Sequence, residues 1–488
     1  MTEATSRRTF FRQSGSAALG ASAAAAPALQ GSRAADAPPN IVFIFCDQMR
    51  GDCMSGLGHP NARTPNLDRM AREGVQFDNC FMNSPVCVPS RKSVFSGRYP
   101  HEHGSLTNQG RPFLSWPDTL CEHFQQRGYR TGWVGKNHTY EKSALDKLDT
   151  VDIRAREPFR AYNGCIPPHW HTDVYWPEKD CYPQINSDHA IDFIRESRDE
   201  PFFLHVSYFD PHPPYMAPAD FTSRYTSANM HLPDYIPPGA LSERLEEFST
   251  AMGQDYMTLA DMTETLRYYY AQIEWGVDKQ VGRLLNALDQ QGLAENTIVL
   301  FTSDHGDFMG THRMVRKGMF LYDSLLHVPM IWWAPGRLAK GRRTSAIAQG
   351  IDIFPTLADI SGGKPGQDLP GRSLKPFLHG EKDDDKHVVY TSAGYDDQGP
   401  VQKSLTLTPA DKDAVPRHSQ VMNQNMNEKY RMKMIRNQEW KFILNETHKP
   451  ELYKMDGERV EKGNVADRAE YAAVRRELEG QLGRWWRW

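Results

Sequence analysis

The stretch 40-NIVFIFCD-47 is a short, uninterrupted apolar run that ends in a carboxylate. A run of this length and composition reads as a strand of a parallel sheet, buried on both faces. Working outward, the pattern recurs. Strands with polar ends are predicted in 131-TGWVGKNH-138, 201-PFFLHVSYFDPH-212 and 296-NTIVLFTSDHG-306, and a further strand in 327-HVPMIWWAP-335. Helical patterns lie between them. In 64-TPNLDRMAREG-74, Thr64 is placed as N-cap, Pro65 at the first helical position and Gly74 just past the end. The longest helical pattern lies around Leu266 to Leu288. Strands alternating with helices imply an α/β fold with a doubly wound, mostly parallel sheet covered on both faces. Ligands of such sheets sit at the carboxyl ends of the strands, and the polar clusters of this chain all fall there.

The 488 residues suit one large domain and a smaller one. With 39% hydrophobic and 24% charged residues and a net charge of −4, the composition is that of an ordinary globular protein. A nucleic-acid binder would usually show a strongly basic domain. Beyond the N-terminus no apolar run reaches the ~18 residues of a membrane span. The charge run 379-HGEKDDDKH-387 reads as a solvated linker and boundary. After it, VVYTSAGY, YRMKMIRNQEWKFILN and ELYKMDGERV read as short strands with turn signals, and AEYAAVRRELEGQLGRWW as a closing amphipathic helix. They predict a small antiparallel sheet with one helix. The expected domains are therefore 38–380 and 388–488, preceded by a leader at 1–37. In that leader Arg7 and Arg8 precede Phe10, Phe11 and an Ala- and Gly-rich stretch, with Ala26-Pro27-Ala28 as a small-residue cleavage site. This is the pattern of a twin-arginine signal peptide, and it places the mature protein in the periplasm or outside the cell, with the twin-arginine translocase as a partner. An Ala-rich tail is the plainer alternative.

Asp47 and Gln48 follow the first strand, and Asp304 and His305 follow TIVLFTS. Alone, a strand-end aspartate usually caps a turn. Two such pairs at strand ends offer oxygen-rich ligation suited to a hard divalent cation, with His305 admitting softer ions. Arg91, Lys136 and Lys317 each follow a strand or turn closely, beside His138 and His212. Any one of them alone is a surface charge. Together with a metal they form a site for a highly anionic group such as sulfate or phosphate.

Cys87 opens 87-CVPSRKSVFSGR-98. It is one of seven cysteines, an odd number with no CxxC pair. Six of them pair if one is set aside, or each is a small buried hydrophobe. This stretch, with Pro89, Ser90 and Arg91 behind the cysteine, resembles the signature of the formylglycine-dependent sulfatases of the alkaline phosphatase superfamily. The resemblance runs through nearly the whole mature chain. NIVFIFCDQ is similar to the first metal-binding strand, GKNH to a Gly-Lys-x-His motif and PHPPY to a Pro-His-x-Pro segment. SDHGDFMGTHRMVRKG is similar to the second metal loop with its sulfate-binding lysine, and EWKFILN and ELYKM to the small C-terminal domain.

The resemblance implies an alkaline phosphatase-like fold and an exported sulfatase acting on a sulfate ester of a small molecule or glycan, with a carbohydrate favoured. It implies oxidation of Cys87 to formylglycine (3-oxoalanine) by a formylglycine-generating or sulfatase-maturing enzyme. It implies one divalent cation, calcium with manganese as the alternative, held by Asp47, Gln48, Asp304, His305 and the modified Cys87. The hydrated aldehyde is then the nucleophile. Arg91, Lys136 and Lys317 hold the sulfate oxygens, His212 protonates the leaving alcohol and His138 serves as the base that releases sulfate. Many members carry a second aspartate at the position of Gln48 and an asparagine at that of His305. The forms seen here also occur in phosphonate monoester hydrolases, so a formylglycine-dependent phosphodiesterase or phosphonate hydrolase is the alternative enzyme. An inactive glycan-binding scaffold is the alternative outside catalysis, and the intact set of Cys87, Lys136, His138, His212 and Lys317 speaks against it. The segment with Arg154, Arg156, Arg160, His169, Trp170 and His171 reads equally as a substrate-binding or a solvated loop.

Overall fold

A computed structural model of the chain describes residues 37–108, 114–115, 118–153, 171–174, 177–233, 242–252, 258–366, 368–383, 386–394, 431–455, 457 and 459–487. The expected leader, apart from Ala37, lies outside the described residues, as do Arg154, Arg156, Arg160, Cys165, His169 and Trp170.

Strands β1 (Asn40–Cys46), β2 (Val75–Phe81), β3 (Arg130–Gly135) and β4 (Thr150–Asp152) belong to one sheet. A short pair, β5 (His171–Val174) and β7 (Tyr215–Pro218), brackets β6 (Phe202–Ser207) in sequence. With β8 (Thr297–Ser303), β9 (His327–Trp333) and β10 (Arg342–Gln349) the large sheet has the order β10-β2-β9-β8-β1-β6-β3-β4. Its register is parallel except where β9 meets β2 and β8. The opening run is the centre of this sheet. Alternate residues of β1 leave in opposite directions, so Val42, Ile44 and Cys46 enter one core while Ile41, Phe43 and Phe45 enter the other. Helices Pro65–Glu73, Tyr182–Glu196 and Lys279–Gln290 supply Leu67, Phe193 and Leu284 to the first core. Helices Cys87–Ser96, Leu120–Gln126 and Ile353–Ile360 supply Phe95, Phe124 and Leu357 to the second. Every β1 side chain is buried, which at about 1.5–3 kcal/mol for each large apolar residue fixes the strand in the middle of the molecule.

The expected helix around Leu266 to Leu288 is a longer element with an irregular centre. Helix Leu259–Gln272 passes through a π-turn at Ile273–Asp278 into Lys279–Gln290. Gly276 in that turn lies so close to Asp210 that a Cβ would come within 2.7 Å of its carboxyl.

The C-terminal region forms the expected second sheet. Strands β11 (Val389–Gly394), β12 (Arg431–Arg436), β13 (Trp440–Asn445) and β14 (Glu451–Lys454) run antiparallel in sequence order. One face gives Met432, Met434 and Ile443 to a core shared with Phe81, Phe320 and Leu325. The other gives Ile435, Phe442 and Leu452 to Leu478 and Leu482 of the closing helix Ala472–Trp485. The charge run before β11 is less free than its composition suggests. Asp383 accepts from the Ser345 amide at 2.8 Å and from Arg342 at 2.9 Å, pinning the run to β10.

Candidate active site

Strands β8, β1, β6 and β3 are consecutive in the sheet and parallel, so their carboxyl ends meet. The residues immediately beyond those ends are Asp304 and His305, Asp47 and Gln48, the segment reaching His212, and Lys136 and His138. The topology thus gathers side chains as far apart in sequence as Asp47 and His305, separated by 258 positions, without any local motif linking them.

Cys87 enters from the side as the first residue of helix Cys87–Ser96, whose preceding residue Val86 is extended. No acidic residue stands in its first turn, so the positive end of the helix faces the strand ends unopposed. The thiol is buried, at 2% exposure. Lys317 Nζ lies 2.8 Å from Cys87 Sγ, His305 Nε2 3.3 Å, Lys136 Nζ 3.7 Å and Asp47 Oδ1 3.8 Å. Burial and Asp47 raise the thiol's pKa, but Lys136, Lys317 and His305 outweigh them and hold it well below the ordinary thiol range. This is an environment built for an anionic atom at position 87.

Asp47 and Asp304 are held together by Arg91. Its Nε donates to Asp304 Oδ2 at 2.7 Å, one terminal nitrogen to Asp47 Oδ2 at 3.3 Å and the other to Ser207 Oγ at 2.8 Å. The guanidinium lies 4.7 Å over the Phe45 ring. Lys136 also donates to Asp47 Oδ2. Burial favours the neutral form of both acids, yet Lys136, Lys317, His212 and Arg91 hold Asp47 well below the carboxylate range. Asp304 has fewer cations around it and the Asp47 charge against it, and its carboxyl is raised.

Asp47, Cys87, Asp304 and His305 each offer a ligand atom, and these atoms lie within 4.8 Å of one another. His305 Nδ1 is 2.8 Å from the Gly306 carbonyl, an acceptor that assigns the proton to Nδ1 and leaves Nε2 bare toward the cluster. Gln48 has φ +73°, an uncommon conformation for a side-chain-bearing residue, held by its amide donating to Asp304 Oδ1 at 3.1 Å. Its Nε2 donates to Asp307 Oδ2 at 2.5 Å, while its Oε1 is buried without a hydrogen-bond partner. Two carboxylates, a bare imidazole nitrogen and an orphaned amide oxygen fit a divalent cation by donor chemistry.

His138 and His212 complete the set. Burial, then Lys136, pushes the His138 imidazole down to about 4, and burial, then Lys317, holds His212 well below the imidazole range. Their neighbours thus hold both toward the neutral form, and an anion bound against Lys136 and Lys317 would favour their charged forms. A cavity of about 760 Å³ opens from Lys136, His138 and His212 between Tyr140, Tyr182, Phe209, Met216 and Trp275. All ten residues singled out from the sequence thus lie in one place. His171, the described residue of the possible binding loop, stacks on Tyr268 with centroids 4.7 Å apart. Sequence reasoning missed Asp307, which fixes Gln48, and Ser207, which fixes Arg91. Asp307 stands three residues after Asp304 in SDHGD, a spacing that could have drawn notice; Ser207 carries no such signal. The thiols of Cys46, Cys53, Cys80, Cys87 and Cys121 are buried and free, so the expected alternative in which six cysteines pair is not realised.

A doubly wound sheet with a cationic, carboxylate-lined pocket at its strand ends defines an ester hydrolase of the alkaline phosphatase superfamily. The Sulfatase family description matches residues 39–363, and the chain belongs to that family. It is 30% identical over 410 residues to an arylsulfatase of Clostridium perfringens, covering 72% of this chain and 84% of the relative. It is 28% identical over 508 residues to an N-acetylglucosamine-6-O-sulfatase of Bacteroides thetaiotaomicron, covering 90% and 85%. Among solved structures it is similar to a phosphonate monoester hydrolase of Agrobacterium radiobacter, with TM-score 0.73, 25% identity and coverage of 91% and 94%. The protein is a sulfuric ester hydrolase.

Proposed function

We propose that this enzyme hydrolyses the sulfate ester of a carbohydrate outside the cytoplasm, using formylglycine formed from Cys87 and a divalent cation, calcium with manganese as the alternative. The observation that carries the reading is the convergence of Lys136, Lys317 and His305 on one buried atom, Cys87 Sγ, at a helix N-terminus. The hydrated aldehyde would supply the attacking oxygen at this position. The cation, held by Asp47, Gln48, Asp304 and His305, would supply the positive charge that favours the ionised form of that oxygen.

The chain's own residues account for the rest. Arg91 spends its donors on Asp47, Asp304 and Ser207, so its part is to hold the ligand carboxylates and the helix in register. Lys136 and Lys317, both near Cys87 Sγ, stabilise charge on the sulfate oxygens. His212 lines the cavity where the alcohol departs and delivers a proton to its oxygen, and His138 takes a proton from the group at position 87. The nearly dry surroundings strengthen each of these interactions. Arg7 and Arg8 support export by the twin-arginine translocase after maturation in the cytoplasm, and the boundary near 380–388 supports separate catalytic and C-terminal domains. Among the described residues no helix is long and apolar enough to cross a membrane.

The second reading, a phosphonate or phosphate diester hydrolase, is favoured by the likeness to the phosphonate monoester hydrolase. A diester carries a second substituent where a cation would otherwise meet a free oxygen. Because both Lys136 and Lys317 are in place, kcat/KM is expected to be higher for a sugar sulfate than for any phosphate diester or phosphonate monoester. His212→Ala is expected to lower kcat/KM by about 10²-fold on a sugar sulfate and by less than tenfold on nitrophenyl sulfate, whose leaving group needs little protonation. Preference for the diester, or equal losses on the two sulfates, overturns the assignment.

A further inference from the structure

Gln272, at the last position before the π-turn, is 3% exposed and lines the cavity beside Asp210. Its Nε2 donates to Asp210 Oδ1 at 2.8 Å and to the His212 carbonyl at 3.4 Å. Those two acceptors fix the orientation of the amide, because reversing it would set oxygen against oxygen. The other end, Gln272 Oε1, is buried with no hydrogen-bond partner. Buried acceptors are rarely left in this state, and where they are, a ligand or an ordered water commonly answers them. Asp210 is 5% exposed, and the absence of a side chain on Gly276 makes room for its carboxyl. Both residues thus line the leaving-group cavity, two positions and one hydrogen bond from His212.

We propose that Gln272 and Asp210 form an acceptor pair that selects sulfate esters whose alcohol carries a second hydrogen-bond donor, a hydroxyl or amino group on the same ring. This rests on the sulfatase reading and narrows it to polyhydroxylated or amino-substituted rings over simple alkyl or aryl alcohols. The remaining walls suit such a ring. Tyr182, Phe209, Met216 and Trp275 offer apolar and aromatic surface for its carbon-bound faces, and the acceptors take its edge. Neither residue touches the sulfate, so the pair sets specificity rather than chemistry. A ligand lacking the donor leaves Gln272 Oε1 unanswered, which disfavours it by roughly 10- to 100-fold.

The test uses full-length protein with Cys87 unconverted, so that binding is measured without turnover. Calorimetry with the methyl glucoside and glucosaminide monosulfates identifies the tightest probe, and its single-deoxy analogues follow. In the wild type one deoxy analogue is expected to bind at least about 10-fold more weakly than its parent. In Gln272→Met that preference falls to less than about 3-fold, and Asp210→Asn, with its thermal melt recorded as a fold control, weakens it in the same direction. If no deoxy analogue loses affinity in the wild type, or the preference survives in both variants, the proposal is wrong. Failure of the sulfatase reading shows separately, as absence of sulfate release by the formylglycine-bearing protein from every one of these esters.

Discussion

Two clusters of buried charge lie along one segment between β8 and β9, and they are built on opposite principles. The first holds Arg91, Lys136 and Lys317 against Asp47 and Asp304, and it opens onto the cavity. The second begins six residues beyond Lys317. Arg436 donates to Asp323 Oδ2 at 2.9 Å, and Lys441 bridges Asp323 Oδ1 at 2.8 Å and Glu461 Oε1 at 2.6 Å. Two cations face two carboxylates there, and the Asp323 amide donates to Glu461 as well, at 2.8 Å. The second cluster answers its own charges and locks the C-terminal sheet to the loop that carries Lys317. The first has more cation than carboxylate before any divalent ion is counted, so a bound anion is what would balance it. Surplus buried charge costs stability and is kept where binding needs it; balanced buried charge is strongly sensitive only when one partner is removed.

The largest expected effect separates the clusters by activity. Lys317→Met and Lys136→Met should each lower kcat/KM for a sulfate ester by about 10²- to 10³-fold, the cost of losing one donor aimed at developing negative charge. Their melting temperatures should fall less than that of a variant in the second cluster, because Asp47 keeps Arg91 and the remaining lysine as partners. Steady-state kinetics and calorimetry on the same preparations decide it; a large loss of stability would mean that the first cluster is structural after all.

The converse applies to Lys441→Met. It leaves Asp323 and Glu461 short of a cation in a dry environment and should cost about 3–5 kcal/mol, read by denaturant unfolding. The kcat/KM of the folded fraction should change less than about threefold, on the scale of a substitution that touches no reacting group. Equal losses of activity in Lys441→Met and Lys317→Met would erase the distinction between the two regions.

How much of this was visible in the chain follows the same division. β1 and its neighbours were legible because a parallel strand buries both faces and leaves an unbroken apolar run, and Asp47 and Asp304 were legible because a carboxylate ending such a run is conspicuous. The reading of position 87 as an aldehyde rests on resemblance alone, since nothing in the physics of a cysteine before Pro-Ser-Arg specifies oxidation. The second cluster was hidden. Lys441 and Ile443 alternate with Trp440 and Phe442 in β13, so the lysine passes for the solvent face of an ordinary strand until the large sheet is packed against it. Asp307, Ser207 and the Asp210–Gln272 pair were hidden for a related reason: each acts through a partner on another element, and the spacing between partners is set by topology rather than by local periodicity.

A smaller effect sharpens the contrast through pH. Burial would raise the Asp323 carboxyl, but Arg436 and Lys441 outweigh it and hold it far below the usual range. With its folded pKa depressed, the stability Asp323 contributes is fully present above the unfolded value of about 4 and drains as pH falls below it. Lys441→Met should flatten that acid dependence from about pH 5 downward, measured as unfolding free energy against pH. An unchanged slope would show that Asp323 is not the group responsible.

The central claim is that the first cluster exists to serve a formylglycine at position 87. Mass spectrometry of the tryptic peptide Glu73–Arg91, taken from protein co-produced with a sulfatase-maturing enzyme and assayed for sulfate release, tests it most directly. The peptide is expected to carry the aldehyde in place of the thiol, with specific activity rising in proportion to the converted fraction. A fully active preparation whose peptide holds only unmodified Cys87 would contradict it.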